Sequence, residues 1–455
     1  MVSETTTESV EESAYGKAAR KLIPFLFICY VVAFLDRVNV GFAKLQMAPE
    51  LQFPDAVYGF GAGIFFIGYF IFEVPSNVIL EKVGARAWIA RIMITWGLIS
   101  TAFMYVDQIS WGWVAQHFGC TDTEFTFYVL RFLLGSAEAG FFPGIILYLT
   151  YWFPDHRRTK MVALFMTAIA VSNLLGSPIS GGIMQYMDGA GGLSGWRWLF
   201  LLEGIPSILV GALVLMALPN SPRDAKWLTD EDRDAILSAL ERDKASKAPA
   251  GSKHNLMSAF TDIRVWTLAA IYFSEVICFY ALTFWMPTII QELGIDKKDF
   301  LKVGLISIVP WGLAAVFMVY WGAHSDKTGE RRWHAAGALF MAMVGLIVLA
   351  LAGKSPLPAI AALTIVAAGT LGFAATFWSL PTAFLTGTAA AGGIALINSI
   401  GNLGGHFGPD LIGRIRALNG GAAEAAFWSL AAFAFIGALL TLWVSRRALA
   451  RPASD

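Results

Sequence analysis

Charge is scarce in this sequence. Only 15% of its 455 residues are Asp, Glu, Lys or Arg, against about 25% in soluble domains. The 33 basic and 33 acidic side chains cancel to a formal net charge of zero, so there is no electrostatic case for a nucleic-acid partner. Cysteine is scarcer still. Cys29, Cys120 and Cys278 form neither a CxxC pair nor a metal-ligand cluster, and say little about redox compartment. There is no HExxH, no GxSxG, and no GxGxxG between a strand and a helix. That leaves an enzyme reading without a site and gives no reason to expect a cofactor or metal. Residues 1–18 are polar and acidic, unlike the basic start of a signal peptide. What is abundant is apolar: 56% of the chain, including 34 Phe and 16 Trp.

A membrane crossing needs about 20 mostly apolar residues. Twelve stretches qualify, at 22–43, 57–81, 87–106, 126–152, 160–183, 197–218, 265–290, 300–323, 334–352, 358–385, 390–417 and 424–445. The expected fold is therefore an all-α membrane protein. The fourth, fifth, tenth and eleventh stretches are interrupted by Gly and Pro, which is tolerated where helices pack or line a cavity. The long polar stretch 219–263 divides the chain into two sets of six. Thr229 and Asp232 within it have the spacing of a capping box, which predicts a surface helix. The expected organisation is a tail at 1–21, a six-helix bundle at 22–218, a linker at 219–263, a second six-helix bundle at 264–447 and a tail at 448–455. Basic residues (Lys17, Arg20, Lys21, Arg157, Arg158, Lys160, Arg331, Arg332, Arg446, Arg447) cluster on one side, whereas loop 107–125 has no Lys or Arg. By the positive-inside rule both termini and the linker face the cytoplasm. Lys297 and Lys298 lie on the other side, balanced by Asp296 and Asp299.

The halves carry a repeat. "EKVGAR" (81–86) follows the second span and "DKTGER" (326–331) follows the eighth; "SNLLG" (172–176) and "GNLGG" (401–405) echo each other in the fifth and eleventh. Two parallel six-helix repeats around a central site are a transporter pattern. The loop with acid, basic residue, Gly and Arg resembles the hallmark of the major facilitator superfamily. Its first copy departs in having Glu81 for Asp and Ala85 for an Arg. "FLDRVNVGFA", "RFLLGSAEAGFFPGIILYLTYWFP", "WRWLFLLEGIPS" and "INSIGNLGGHFGP" resemble the superfamily's anion:cation symporters. That resemblance implies proton-coupled import of a small organic acid (tartrate, phthalate, hydroxyphenylacetate or sugar-acid type) across the bacterial inner membrane, by a monomer whose partners are its anion, protons and the lipid bilayer. The loop residues Glu81, Arg86, Asp326, Lys327 and Arg331 are expected to act in gating.

A charged side chain inside a span costs about 2.5–3.5 kcal/mol, so each needs a partner, a wet cavity or a function. Asp36 and Arg37 are adjacent and diverge by about 100° around the helix, so one can face a neighbouring helix and the other the cavity. Arg131 and Glu138, seven apart, share a face of span four. An Asp36–Arg131 pair could be merely structural. Alternatively, a carboxyl held between burial and a guanidinium can exchange protons near neutral pH, and Arg offers a planar fork for a carboxylate. By the resemblance, Asp36 and Glu138 correspond to proton coupling, and Arg37 and Arg131 to charge pairing or substrate binding. Tyr69 reads as a hydroxyl donor or a core side chain, and Trp378, before Pro381, as a packing surface for an acid or a core residue. Asn398 and Asn402 share a face of span eleven and need partners. His406 continues that face and reads as a titrating group or as packing. Glu275 is an isolated acid. Glu73 and Glu203 read as contacts between the halves or at a gate. A proton-independent exchanger or facilitator is the main rival; a sensor built on a transporter fold would carry an extra cytoplasmic domain.

Overall fold

The computed structural model describes residues 2–246, 261–382 and 387–449. The parts of the expected linker and C-terminal tail at 247–260 and 450–455 lie outside the described residues, as does 383–386. Among the described residues there is no strand, and eleven helical stretches are long and apolar enough to cross a membrane.

Span one is α1 (Val2–Val38) and α2 (Val40–Leu51), nearly continuous across Asn39. Then come α3 (Asp55–Val83), α4 (Ala85–Ala102), α5 (Asp122–Glu138) with α6 (Phe141–Thr150), α7 (Asp155–Tyr186) and α8 (Gly195–Ala217). The second set is α10 (Ile263–Gln291), α11 (Phe300–Thr328), α12 (Arg332–Ala352) and α13 (Pro356–Phe377), then α14 (Gly387–Asn402) with α15 (Gly404–Leu418), and α16 (Glu424–Leu449). The broken pair α14–α15 is the eleventh span in chain order and brings the crossings to twelve. Between the halves lies α9 (Asp230–Ser246). The predicted capping box opens it: the Asp232 amide donates to Thr229 Oγ1 at 3.1 Å and the Thr229 amide to Asp232 Oδ2 at 3.2 Å. Residues read as an N-terminal tail extend α1 instead, and Lys17 pairs with Asp232 of α9 at 2.7 Å.

Apolar periodicity does not divide these helices into a wet and a dry face, because their outer surface meets lipid. Leu209, Met216, Val316 and Val319 are all more than half exposed, as hydrocarbon contact allows. Inside, small residues bring helices together where no hydrophobic drive exists between them. The second span of each half packs on the fifth of the other: α3 on α15, and α7 on α11. A Cβ at Gly413 would stand 2.4 Å from the Asp55 carbonyl oxygen, and one at Gly304 would stand 2.4 Å from that of Ser177. Both contacts lie toward the face carrying loops 52–54 and 292–299, where the halves are closed together.

Within the first half, α3 and α5 touch just as closely. A Cβ at Gly135 would stand 1.9 Å from the Phe65 carbonyl oxygen, so no side chain fits without backbone movement. Gly135→Ala should therefore cost about 1–3 kcal/mol and lower the thermal unfolding midpoint in detergent. An unchanged midpoint would show that α3 and α5 are not held at this distance.

Candidate functional site

A cavity of about 800 Å³, counting the solvent space at its mouth, lies between the two halves. Arg37, Tyr69, Glu275, Trp378, Asn398 and Asn402 line it, with Tyr30, Phe34, Tyr272 and Tyr280 among the aromatic side chains around them. Arg37 is 7% exposed and sits over the rings of Phe34, Phe65 and Tyr69, each within 5.7 Å. Its Nε donates to Glu138 Oε1 at 3.1 Å, its Nη2 donates to the same oxygen, and its Nη1 donates to the Tyr280 hydroxyl at 2.8 Å. One guanidinium thus ties α1 to α5 in its own half and to α10 in the other.

The chain makes this arrangement locally. Glu138 is the last residue of α5, and the span breaks behind it at Gly140, whose φ of +85° favours glycine. A Cβ there would also stand 2.3 Å from Ser76 Oγ. A helix that stops in mid-membrane places a carboxyl at its terminus, beside irregular backbone that must line a cavity or be packed in protein.

Arg131 lies elsewhere. It shares α5 with Glu138 but is fully buried, 5.0 Å from the centre of the Phe65 ring, which Arg37 approaches at 5.4 Å. Its Nη2 donates to the Ala62 carbonyl at 2.9 Å, while Nε and Nη1 have no partner among the described residues. Asp36 points away from the cavity and makes no pair with Arg131. It accepts from Trp96 Nε1 at 3.1 Å, Ser100 Oγ at 2.8 Å and the Ser207 hydroxyl, on α4 and α8. Three donors satisfy this carboxyl without a cation.

The remaining residues divide between the cavity and its surroundings. Trp378 stands edge-on to Tyr272 at 5.1 Å. Asn398 donates to Glu73 Oε1 and Ser399 to Glu73 Oε2, both at 2.7 Å, so Glu73 is a contact between the halves. Glu203 is not. It is buried inside the first half, accepting from Ser180 Oγ at 2.7 Å, because a Glu on the inner face of α8 meets α7 before it can reach the other half. His406 packs where α3 crosses α15, its ring 5.6 Å from Phe60, and does not line the cavity. In the second copy of the repeat Arg331 pairs with Asp326 and donates to Ser325 Oγ at 3.2 Å, and Lys327 is exposed. In the first copy Glu81 and Arg86 are exposed, and the Arg86 amide donates to Asn220 Oδ1 at 3.1 Å.

A family model described as the Major Facilitator Superfamily matches residues 26–409. The chain belongs to the major facilitator superfamily. As a member it is a multi-pass membrane transporter, not an enzyme. It is 47% identical to a protein of Agrobacterium vitis named for tartrate transport, over 97% of this chain and 93% of that one. It is 44% identical to the Pseudomonas putida protein NicT, named for metabolite transport, over 95% and 94% of the two chains. Among solved structures, the xylose transporter XylE of E. coli in a partially occluded inward-open conformation superimposes with a TM-score of 0.72 at 15% identity, over 92% of this chain and 96% of that one. That likeness concerns the fold.

One feature of this superfamily member was not legible beforehand. At the closed face, Asp55 accepts from Lys44 at 2.9 Å and from Arg416 Nε at 2.8 Å, and Arg416 reaches Glu292 at 2.6 Å. Lys44 and Arg416 both lie over the Trp285 ring, at 4.1 and 5.2 Å. The network joins spans one and two to spans seven and eleven. All four charges sit at the ends of spans, where a sequence gives no sign that they are anything but solvated.

Arg416→Gln removes the residue common to both halves of this seal. Met286, 1% exposed, lies two residues before Thr288, which accepts from Lys44. With the three native cysteines replaced by Ser, a cysteine substituted for Met286 should react slowly with an impermeant maleimide applied to this face. Arg416→Gln should speed the reaction roughly tenfold, equivalent to about 1.4 kcal/mol. Equal rates would mean that the network does not hold the face shut.

Proposed function

We propose that the protein imports a small organic acid anion together with protons by alternating access, and that the Arg37–Glu138 pair is where the two ligands meet. The observation that carries this reading is a guanidinium in the central cavity whose carboxylate partner among the described residues is Glu138, a titratable group of its own half. Similarity over nearly the full chain to proteins named for tartrate and metabolite transport supports the substrate class. An arriving carboxylate competes with Glu138 for the Arg37 fork. Protonation of Glu138 releases that fork, so each ligand makes the other's binding cheaper, as coupling requires. Tyr69, Trp378, Asn398 and Asn402 would surround the anion. Arg131, buried beside Phe65, would balance charge rather than touch substrate. Asp36 would serve as a second proton acceptor behind the cavity.

In this reading residues 22–218 and 264–447 are the two rocking bundles, joined by the 219–263 linker, and both termini are cytoplasmic, following the Lys and Arg bias of the loops. The sealed face is then periplasmic and the cavity opens inward. The loops at 81–86 and 326–331 would interlock only in the outward-open state, with Glu81, Arg86, Asp326, Lys327 and Arg331 as the gating set. Similarity to bacterial transporters supports the inner membrane as its location, where it would act as a monomer in the lipid bilayer. A proton-independent exchanger is the rival, since the Arg37–Glu138 pair is already neutral without a proton.

Reconstituted protein separates the two. Wild type should concentrate tartrate under an inward-directed pH gradient. Glu138→Gln, which mimics the protonated acid, should lose uphill uptake but keep tartrate counterflow. Arg37→Lys keeps the charge but loses the fork, and should weaken tartrate binding by roughly tenfold or more. Uphill uptake by Glu138→Gln would remove Glu138 from the proton path, and a wild type indifferent to the gradient would favour the exchanger.

A further inference from the structure

Glu275 has no role in the scheme above, yet among the described residues it is the carboxyl that lines the cavity. It is 4% exposed and lines the same space as Arg37. Among the described residues it has no hydrogen-bond or ion-pair partner. Its direction follows from helix periodicity. Tyr272, Glu275, Val276, Phe279 and Tyr280 form one stripe of α10, and all five line the cavity. The neighbouring stripe is packed away from it: Cys278 Sγ contacts the Leu430 carbonyl at 3.5 Å, and Ser274 meets Gly437.

A buried carboxyl without a partner is costly to keep unless something else supplies the donor. The substrate is the group that enters this space. Tyr280 fixes the geometry, because it accepts from Arg37 at 2.8 Å and stands five residues beyond Glu275, about 7.5 Å along the helix. A molecule held by its carboxylate at Arg37 would carry its carbon chain toward Glu275. The hydroxyls of Tyr30, Tyr69 and Tyr272 border the same path without hydrogen-bond partners among the described residues. A wall of unpartnered oxygen atoms fits an acid bearing hydroxyl groups better than one with a bare hydrocarbon chain.

We propose that Glu275 is a specificity-determining residue, which accepts a hydrogen bond from a hydroxyl on the substrate chain and so selects hydroxy acids over unsubstituted acids of the same length. This rests on the organic-acid reading above. A site built to hydrogen-bond a hydroxyl rejects the analogue that lacks it far more strongly than an apolar pocket rejects an altered chain length.

The test is binding to the purified full chain of four acids that share one four-carbon skeleton: succinate, malate, tartrate and aspartate. Wild type should bind tartrate at least roughly tenfold more tightly than succinate, with malate between them. Glu275→Met fills the space without an acceptor. It should bring tartrate and succinate to within about twofold of each other by weakening tartrate, while the unfolding temperature is retained. Glu275→Gln, which keeps an acceptor oxygen, should restore part of the preference. Succinate bound as tightly as tartrate by wild type would overturn the proposal alone, as would a tartrate preference intact in Glu275→Met. Aspartate preferred over tartrate would overturn it in favour of a cationic nitrogen. Binding of none of the four would remove the organic-acid reading and this proposal with it.

Discussion

A guanidinium inside a membrane protein must be balanced, and at the centre of this molecule Arg37 is balanced by Glu138. Two charges withdrawn from water recover their solvation only through good geometry and further hydrogen bonds. Here the fork meets one carboxylate oxygen twice and its third nitrogen meets Tyr280 across the interface between the halves. Much of the surrounding architecture serves that contact. Span four stops at Glu138 because Gly140 turns the chain there. Gly135 lets α5 approach α3 closely, and the Phe65 ring lies within 5.4 Å of both Arg37 and Arg131. Because the pair is neutral as a unit but not when either member is taken away, whatever binds one member changes what the other can hold.

The second constraint follows from the alternating-access proposal: the halves would have to separate without unfolding. Each buries its own polar groups: Asp36 is satisfied within the first half by Trp96, Ser100 and Ser207, and Glu203 is bonded there by Ser180. Contacts between the halves are of another kind. Glycine-mediated backbone approach and the Lys44–Asp55–Arg416–Glu292 network close one face. Glu73, held by Asn398 and Ser399, joins α3 to α14. Beside the glycine packing, these are charge and hydrogen-bond contacts with few partners each, which water can replace. In a two-state transporter that balance lets ligand binding decide which face opens.

Much of this was legible in the sequence. Hydropathy gave the crossings, the "EKVGAR" and "DKTGER" loops gave the repeat, and the 100° between adjacent helical positions separated Asp36 from Arg37. The limit is that spacing along one helix says nothing about what stands between two side chains. Arg131 and Glu138 share α5, yet Arg131 bonds the Ala62 carbonyl while Glu138 takes Arg37 from α1. Glu203 looked like a contact between halves because the sequence does not say which neighbour α8 meets first. The sealing charges were invisible because a charge at a span's end usually needs no protein partner. Glu275 showed itself only as an isolated acid, and its cavity appears once α10 is set against the first half.

The central claim is that the anion and a proton share the Arg37–Glu138 pair. Calorimetric titration of purified protein with tartrate, in buffers of different ionisation enthalpy at one neutral pH, measures the protons taken up per anion bound. The account predicts net proton uptake in wild type that disappears in Glu138→Gln while tartrate still binds. A wild-type binding enthalpy independent of the buffer would contradict it.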